Sequence, residues 1–102
     1  MATTAESLAA QSAPATLKNY INGHWVASSS SERLLVPNPA TEAPLAYVPL
    51  SNAADVQAAV DAARAAAHEW GEMPPPERAG YLFKLRAAML DNREALAKLV
   101  TT

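Results

Sequence analysis

Side chains that could act as bases or metal ligands are few in this chain and stand apart in the sequence. His24 and His68 have no neighbour at metal-ligand or triad spacing, so we predict a structural role for both. Glu69 and Glu72 are three residues apart and could form a carboxylate pair. Nothing around them indicates an apolar pocket, so we interpret them as a solvated pair. These four residues therefore define no catalytic centre.

The serine, glycine and cysteine residues also form no motif of a catalytic centre. Ser28–Ser31 lacks the glycines of a nucleophile elbow and is predicted to be a loop. Gly23, Gly71 and Gly80 are too far apart to form a phosphate-binding loop or a dinucleotide fingerprint. The sequence contains no cysteine, which excludes a thiol nucleophile, a disulfide and a zinc-thiolate site within its 102 residues. The motifs predict no catalytic, cofactor-binding or metal-binding residue.

Composition restricts the classes of partner. The net charge is −2, from eight basic and ten acidic residues without a cluster of either sign. We therefore expect no nucleic acid and no membrane surface as partner. Residues 1–16 are rich in Ala, Ser and Thr and contain no basic residue. This stretch fits neither a secretory signal nor a mitochondrial presequence, so we predict a disordered leader and a cytoplasmic protein.

The first half of the ordered sequence has the character of short strands joined by turns. Asn22-Gly23, between strand-forming residues, is a strong signal for a tight hairpin. Leu34–Val36 and Leu45–Val48 read as two further strands, each ended by proline. We predict a four-stranded antiparallel meander, with Trp25 as a core anchor.

From Ser51 onward the pattern is helical. Seven residues of the first helix fall within an arc of roughly 120° and predict an inward face: Val56, Ala59, Val60, Ala63, Ala66, Ala67 and Trp70. We expect this helix to be capped by Asn52 with Asp55 and to stop at Gly71.

A rigid linker, Pro74–Pro76, separates the first helix from a second, which we expect to begin at Pro76. This second helix has two apolar flanks, which predict neighbours on both sides of it. One flank comprises Leu82, Leu85 and Met89, and the other comprises Phe83 and Leu90. Asp91 with Glu94 is typical of a cap opening a third helix. That pattern is interrupted at Thr102, so we expect a truncated domain over residues 17–102.

Four blocks of the sequence, in this order and spacing, resemble the opening of the aldehyde dehydrogenases. They are Leu17–Val26, Val36–Thr41, Asp55–Trp70 and the stretch from Pro76-Glu77-Arg78 to Leu90. The resemblance extends from Leu17 to Thr102. It implies an α/β fold, in which this chain is the amino-terminal part of the cofactor domain: a short antiparallel meander followed by three helices.

Within that family, three stretches look most like the methylmalonate-semialdehyde dehydrogenase branch, which is CoA-acylating. They are Leu17–Val26, Val48–Leu50 and Tyr81–Leu85. One residue departs from the family pattern, since Glu42 follows Asn-Pro-Ala-Thr where glycine is usual. Because glycine adopts positive φ at little cost, we expect the turn at Glu42 to be reshaped or strained.

The resemblance implies a complete enzyme that oxidises methylmalonate or malonate semialdehyde with NAD through a cysteine thioester. CoA would take the acyl group in the acylating branch, and a glutamate-activated water would release it in hydrolytic branches such as succinate-semialdehyde dehydrogenase. The remainder of the aldehyde dehydrogenase chain and a homo-oligomer are the implied partners. The 102-residue chain itself is expected to be inactive and to bind no cofactor. A non-catalytic helical interaction module, docking through Leu82, Phe83 and Leu85, is the alternative.

Overall fold

The computed structural model describes residues 13–102, in which strands precede helices as the sequence predicts. The strands are β1 (Asn19–Ile21), β2 (His24–Val26), β3 (Arg33–Pro37) and β4 (Pro44–Pro49), and the helices are α1 (Ala53–Glu72), α2 (Pro75–Asp91) and α3 (Arg93–Thr101). Contacts divide the chain into two compact units, one ending at Ala59 and one beginning at Val60. No helix within residues 13–102 is both long and apolar enough to span a membrane.

Strands β1 and β2 form the predicted tight hairpin around Asn22-Gly23. The strands are antiparallel, and Tyr20 faces Trp25 across the pair. Asn22 and Gly23 have φ angles of 52° and 79°, the positive values that a type I′ turn requires at both positions. The rings of Tyr20 and Trp25 meet edge to face, with centroids 5.0 Å apart. This aromatic pair stabilises a hairpin that would be marginal by itself.

Replacing Gly23 by valine should destabilise the hairpin by about 1 kcal/mol or more, because β-branched residues tolerate positive φ poorly. A Cβ at Gly23 meets no atom within 4 Å, so the cost is one of backbone conformation. Amide hydrogen exchange in β1 and β2 should become about fivefold faster or more. Gly71→Ala is the matched control, since Gly71 also has open space but lies inside a helix. Unchanged exchange in Gly23→Val would show that the turn is of another type.

Strands β3 and β4 form a second antiparallel pair, so the predicted meander consists of two separate two-stranded sheets. Tyr47 on β4 also pairs with the segment before β1, through a parallel bridge to Thr16 and a hydrogen bond from its amide to the Ala15 carbonyl. Arg33 lies 4.0 Å over the Tyr47 ring and donates to Thr16 Oγ1 at 2.9 Å. Pairing thus begins just before the predicted boundary at Leu17. Residues 1–12 of the predicted leader lie outside the described part.

The turn between β3 and β4 places Glu42 in the left-handed region, with φ of 60°. The Glu42 amide donates to the Asn38 carbonyl at 2.7 Å, and the Asn38 amide donates to the Ala43 carbonyl at 2.7 Å. The Asn38 side chain accepts from the Ala40 amide at 2.9 Å. These bonds hold the turn in the conformation that suits glycine. Of the two outcomes expected at this position, the structure shows the strained one.

Replacing Glu42 by glycine should therefore stabilise the turn by about 0.5–1 kcal/mol, since relief of the left-handed strain outweighs the added backbone entropy. The amides of Asn38 and Glu42 should exchange up to about fivefold more slowly. Glu42→Gln is the control, because it removes the charge and keeps the strain. If the glutamine variant gains as much protection as the glycine variant, charge and not φ governs this turn.

Helix α1 begins at the predicted cap but continues past the predicted end. The Asp55 amide donates to Asn52 Oδ1 at 3.0 Å, and the Asn52 amide donates to Asp55 Oδ2 at 3.3 Å. This is the reciprocal arrangement of a capping box. The prediction that Gly71 stops the helix is wrong, because the helix runs to Glu72 and the Met73 amide still donates to the Glu69 carbonyl. The proline linker ends the helix instead, since the residue before a proline is disfavoured in the helical region.

Helices α2 and α3 are confirmed, with shifted boundaries. Helix α2 is capped by Pro74 and begins at Pro75, one residue before the predicted start. Asp91 is the last residue of α2, so the prediction that it caps the third helix is wrong. Asn92 is the junction to α3, and its side chain donates back to the Ala88 carbonyl at 2.8 Å. That bond closes the preceding helix and leaves α3 without a side-chain cap.

Apolar side chains remain accessible throughout the described residues, none of which is fully buried. The predicted inward face of α1 is exposed, including Val56 and Val60, and Trp70 is 44% exposed. Trp25, predicted to be a core anchor, is 68% exposed. The helical and strand patterns are therefore present without the core to which they would contribute.

Candidate functional site

Within residues 13–102, neither of the two predicted structural histidines belongs to a group of side chains that could hold a metal ion. His24 lies on β2 and His68 on α1, and both side chains are exposed. Among residues 13–102, no three His, Cys, Asp or Glu side chains come together in a way that could hold a metal ion. Both histidines thus lie on exposed positions of regular secondary structure, and a structural role remains the interpretation for each.

The two carboxylates at the end of α1 are exposed, as the solvated-pair interpretation requires. Glu69 also lines an open hollow of about 240 Å³ together with Trp70, Met73 and Tyr81. The rings of Trp70 and Tyr81 meet edge to face at 5.5 Å, which joins the end of α1 to α2. Lys84 lies 5.4 Å from the centre of the Tyr81 ring. Trp70 is therefore a packing residue between two helices.

A polar cluster with several hydrogen bonds joins the serine loop to the start of α1. Ser28 Oγ donates to Asp55 Oδ2 at 2.5 Å. The amide and hydroxyl of Ser29 both donate to Asp55 Oδ1, at 3.0 and 2.8 Å. Ser29 Oγ also lies 3.0 Å from Asn52 Oδ1. Asp55 thus receives hydrogen bonds from a loop more than twenty residues earlier as well as from the helix cap.

These donors stabilise the ionised form of Asp55. They lower its pKa from 3.8 to about 2, with the Ser28 hydroxyl as the largest cause and the Ser29 amide next. A carboxylate with such a low pKa is a weak base, so it cannot withdraw a proton from Ser28 near neutral pH. The cluster therefore fixes the loop and the helix start, and it does not activate a serine nucleophile.

An acid titration tests this cluster. We expect the side-chain carbon signal of Asp55 in an NMR titration to change with a midpoint near pH 2. Because the folded-state pKa is lowered, the stability from this cluster is present above pH 3.8 and is lost as the pH falls through about 2. Ser28→Ala removes the largest cause and should move the midpoint toward 3.8. A midpoint that is equal in both proteins would contradict the assigned cause.

A shallow hollow of about 300 Å³ lies beside this cluster, between β1 and the first turns of α1. Tyr20, Asp55 and Val56 are among its lining residues. Asn19 Nδ2 donates to Ser51 Oγ at 2.9 Å at its rim. Sequence reasoning predicted the Asn52–Asp55 cap but missed the contribution of Ser28 and Ser29. Only the folded chain brings that loop to the helix.

The comparisons with known proteins agree with the order of these elements. The family model described as "Aldehyde dehydrogenase family" matches residues 25–102. The chain belongs to the aldehyde dehydrogenase family, as the resemblance in the sequence implies.

The similar proteins include malonate-semialdehyde dehydrogenases from two bacteria. The chain is 48% identical over 85 residues to malonate-semialdehyde dehydrogenase 1 of Bacillus thuringiensis, covering 83% of this chain and 18% of that protein. It is 49% identical over 86 residues to malonate-semialdehyde dehydrogenase 2 of Geobacillus thermodenitrificans, covering 84% and 18%.

A solved structure supports the same placement. The putative methylmalonate-semialdehyde dehydrogenase of Sinorhizobium meliloti, complexed with NAD, superposes with a TM-score of 0.84 at 34% identity. The match covers 89% of this chain and 18% of that chain. The chain spans about 18% of the length of the curated relatives described here. Its two strand pairs and three helices therefore correspond to the amino-terminal part of an aldehyde dehydrogenase.

Proposed function

We propose that this chain is the amino-terminal part of an NAD-dependent aldehyde dehydrogenase acting on malonate or methylmalonate semialdehyde. The observation that carries the proposal is the identity of 48–49% to two malonate-semialdehyde dehydrogenases over more than four-fifths of this chain. The NAD complex of the similar Sinorhizobium meliloti protein supports the choice of cofactor. We further propose that CoA accepts the acyl group, in line with the methylmalonate-semialdehyde branch that the sequence resembles.

The role of this chain in such an enzyme is structural. It has no cysteine to form the thioester. Gly23, Gly71 and Gly80 lie in a hairpin turn and in two different helices, so they do not combine into a cradle for a pyrophosphate. The described residues thus do not fit NAD by themselves, and no chemical step is assigned to them. The proposed contribution is a scaffold of two hairpins and three helices in a cytoplasmic homo-oligomer.

The coding sequence after Thr102 provides the first test. We expect it to continue in frame and to encode a cysteine later in the polypeptide. The whole reading frame should then be expressed and assayed for NADH formation with malonate, methylmalonate and succinate semialdehydes, each with and without CoA. The proposal expects the first two substrates to react and the rate to depend on CoA.

Two results would separate the proposal from its competitors. CoA-independent oxidation of succinate semialdehyde would assign the protein to a hydrolytic branch. A stop codon directly after Thr102, together with a folded, inactive 102-residue protein, would favour the helical interaction module. That alternative draws on the exposed Leu82, Phe83 and Leu85 of α2, a surface that both functions would use.

A further inference from the structure

The turn between β1 and β2 carries two residues that can react with each other. Asn22 and Gly23 are both exposed. The backbone nitrogen of Gly23 is a nucleophile within reach of Cγ, the carbonyl carbon of the Asn22 side chain. Because the two atoms belong to neighbouring residues, their reaction is intramolecular and gains from proximity. Glycine also has no Cβ to crowd its nitrogen, and its backbone reaches unusual conformations at little cost.

The other asparagines of the sequence lack this combination. Each is followed by a residue with a side chain, and the proline after Asn38 has no N–H at all. Their side-chain amides are also held in hydrogen bonds. Asn19 donates to Ser51, Asn38 accepts from the Ala40 amide, Asn52 accepts from the Asp55 amide, and Asn92 donates to the Ala88 carbonyl. These asparagines are internal comparisons for Asn22.

The folded turn holds the two reacting atoms apart. Asn22 has a φ of 52°, and the first central residue of a type I′ turn has a ψ of about +30°. At this ψ, the Gly23 nitrogen lies roughly anti to the Asn22 Cβ across the Cα–C bond. The attack requires nitrogen and Cβ on the same side of that bond. The chain therefore has to leave the turn conformation before Asn22 reacts.

The hairpin that maintains this turn is small and little covered. Its strands have three residues each and form a sheet of their own. The aromatic pair that spans them is open to solvent, with Tyr20 62% and Trp25 68% exposed. A two-stranded hairpin of this kind is marginally stable in water. Local opening is thus accessible without unfolding of the helices.

We propose that Asn22 is a site of spontaneous deamidation, which proceeds when the β1–β2 hairpin opens. The Gly23 nitrogen loses its proton to hydroxide and attacks Asn22 Cγ, and a new C–N bond closes a cyclic imide. The bond from Cγ to the side-chain nitrogen breaks, and this nitrogen takes a proton from water and leaves as ammonia. Water then adds to either carbonyl of the imide and gives aspartate or isoaspartate. The reaction is independent of the proposed enzymatic function, since it uses only the turn and water.

The two products have different effects on the hairpin. Aspartate suits the first position of a type I′ turn as asparagine does, so it adds a negative charge and keeps the turn. Isoaspartate carries the main chain through its Cβ, which adds one atom to the backbone between β1 and β2. Because a two-residue turn fixes the register of its strands, the added atom disturbs the pairing of Tyr20 with Trp25. Isoaspartate at position 22 therefore prevents the hairpin from closing again.

Timed incubation of the 102-residue chain in buffer and in urea tests the proposal. Peptide mapping by mass spectrometry locates each deamidated residue, and synthetic standards separate aspartate from isoaspartate. In urea, Asn22 should react about tenfold or more faster than Asn19, Asn52 or Asn92, because only its attacking nitrogen belongs to glycine. In buffer, the folded turn should slow the reaction of Asn22 about fivefold or more.

Three variants separate hairpin opening from the chemistry. Trp25→Ala removes the aromatic pair, so it should raise the Asn22 rate in buffer about threefold or more and leave the rate in urea unchanged. Trp70→Ala removes the aromatic pair between two helices instead; it is the matched control and should change neither rate. Gly23→Ala should slow Asn22 in urea about tenfold or more, since its Cβ crowds the nitrogen.

Each part of the proposal has an outcome that overturns it. Deamidation of Asn52 or Asn92 as fast as that of Asn22 in urea would remove Asn22 as the site. Equal Asn22 rates in buffer and in urea, or an unchanged rate in Trp25→Ala, would exclude control by the hairpin. Amide hydrogen exchange in β1 and β2 should be faster in the isoaspartate form than in the aspartate form. Equal exchange in the two forms would contradict the assigned effect on the turn.

Discussion

The purified 102-residue chain is expected to leave NAD unreduced when it is supplied with malonate or methylmalonate semialdehyde, with or without CoA. Oxidation through a thioester requires a cysteine thiolate, and the chain has no cysteine. It also requires donors preorganised around the oxyanion. In the polar cluster around Asp55, the donors of Ser28 and Ser29 are bonded to a carboxylate at the helix start. No NADH should therefore form above the buffer blank.

NAD binding should be weak for a related reason. Tight binding of a pyrophosphate uses several backbone amides converging at a glycine-rich turn. The positive-φ glycine of this chain, Gly23, lies in a hairpin turn that connects two strands. Calorimetric titration should give a dissociation constant no tighter than about 1 mM. The control is the similar Sinorhizobium meliloti protein, whose structure is a complex with NAD. Measurable reduction of NAD by the chain alone would refute this prediction.

The isolated chain is also expected to lack a cooperative unfolding transition. Ordering the backbone costs about 1–2 kcal/mol per residue. Burial of apolar area, at about 25 cal/mol per Å², has to offset that cost. None of the described residues is fully buried. The inward face of α1 consists largely of alanine, which contributes little area even where it is covered.

Circular dichroism and amide hydrogen exchange together measure the cooperativity of unfolding of the isolated chain. The thermal transition should be broad, and protection across 82–100 should be weak and uneven. The chain should self-associate through apolar residues of α2, namely Leu82, Phe83, Leu85 and Met89. Leu85→Gln should reduce this association, while Leu45→Gln on β4 serves as the control. In a complete enzyme that contains this chain, the same amides should be well protected.

One result would contradict the expected instability of the isolated chain. Strong, uniform protection from Leu82 to Val100 in a monomer would show that the chain orders its helices without further contacts. It would favour the independent interaction module, because such a module must fold before it docks. A monomer with a sharp melting transition would support the same conclusion.

The sequence by itself determined the local structure. Asn22-Gly23 has positive φ at both positions because a two-residue hairpin requires it. Asn52 and Asp55 form their capping box because both partners lie within one helical turn. The strand-then-helix order and the family followed from residues whose spacing is local.

The exact ends of the helices were harder to predict from the sequence, because neighbouring residues carry competing start and stop signals. Gly71 is a frequent stop, yet α1 continues through it to the proline linker. Asp91 and Asn92 are both acceptable caps, and the bond from the Asn92 side chain to the Ala88 carbonyl places the junction. Such outcomes depend on small differences between alternatives that the residue types alone do not rank.

Only the tertiary structure decided the long-range contacts. It joined Ser28 and Ser29 to Asp55, paired Thr16 with Tyr47, and separated the strands into two sheets. It also left the apolar residues of α2 exposed, although their periodicity predicts neighbours on both flanks. Periodicity identifies an apolar face but does not tell what covers it. That depends on groups brought together by folding, which the local pattern along one segment does not contain.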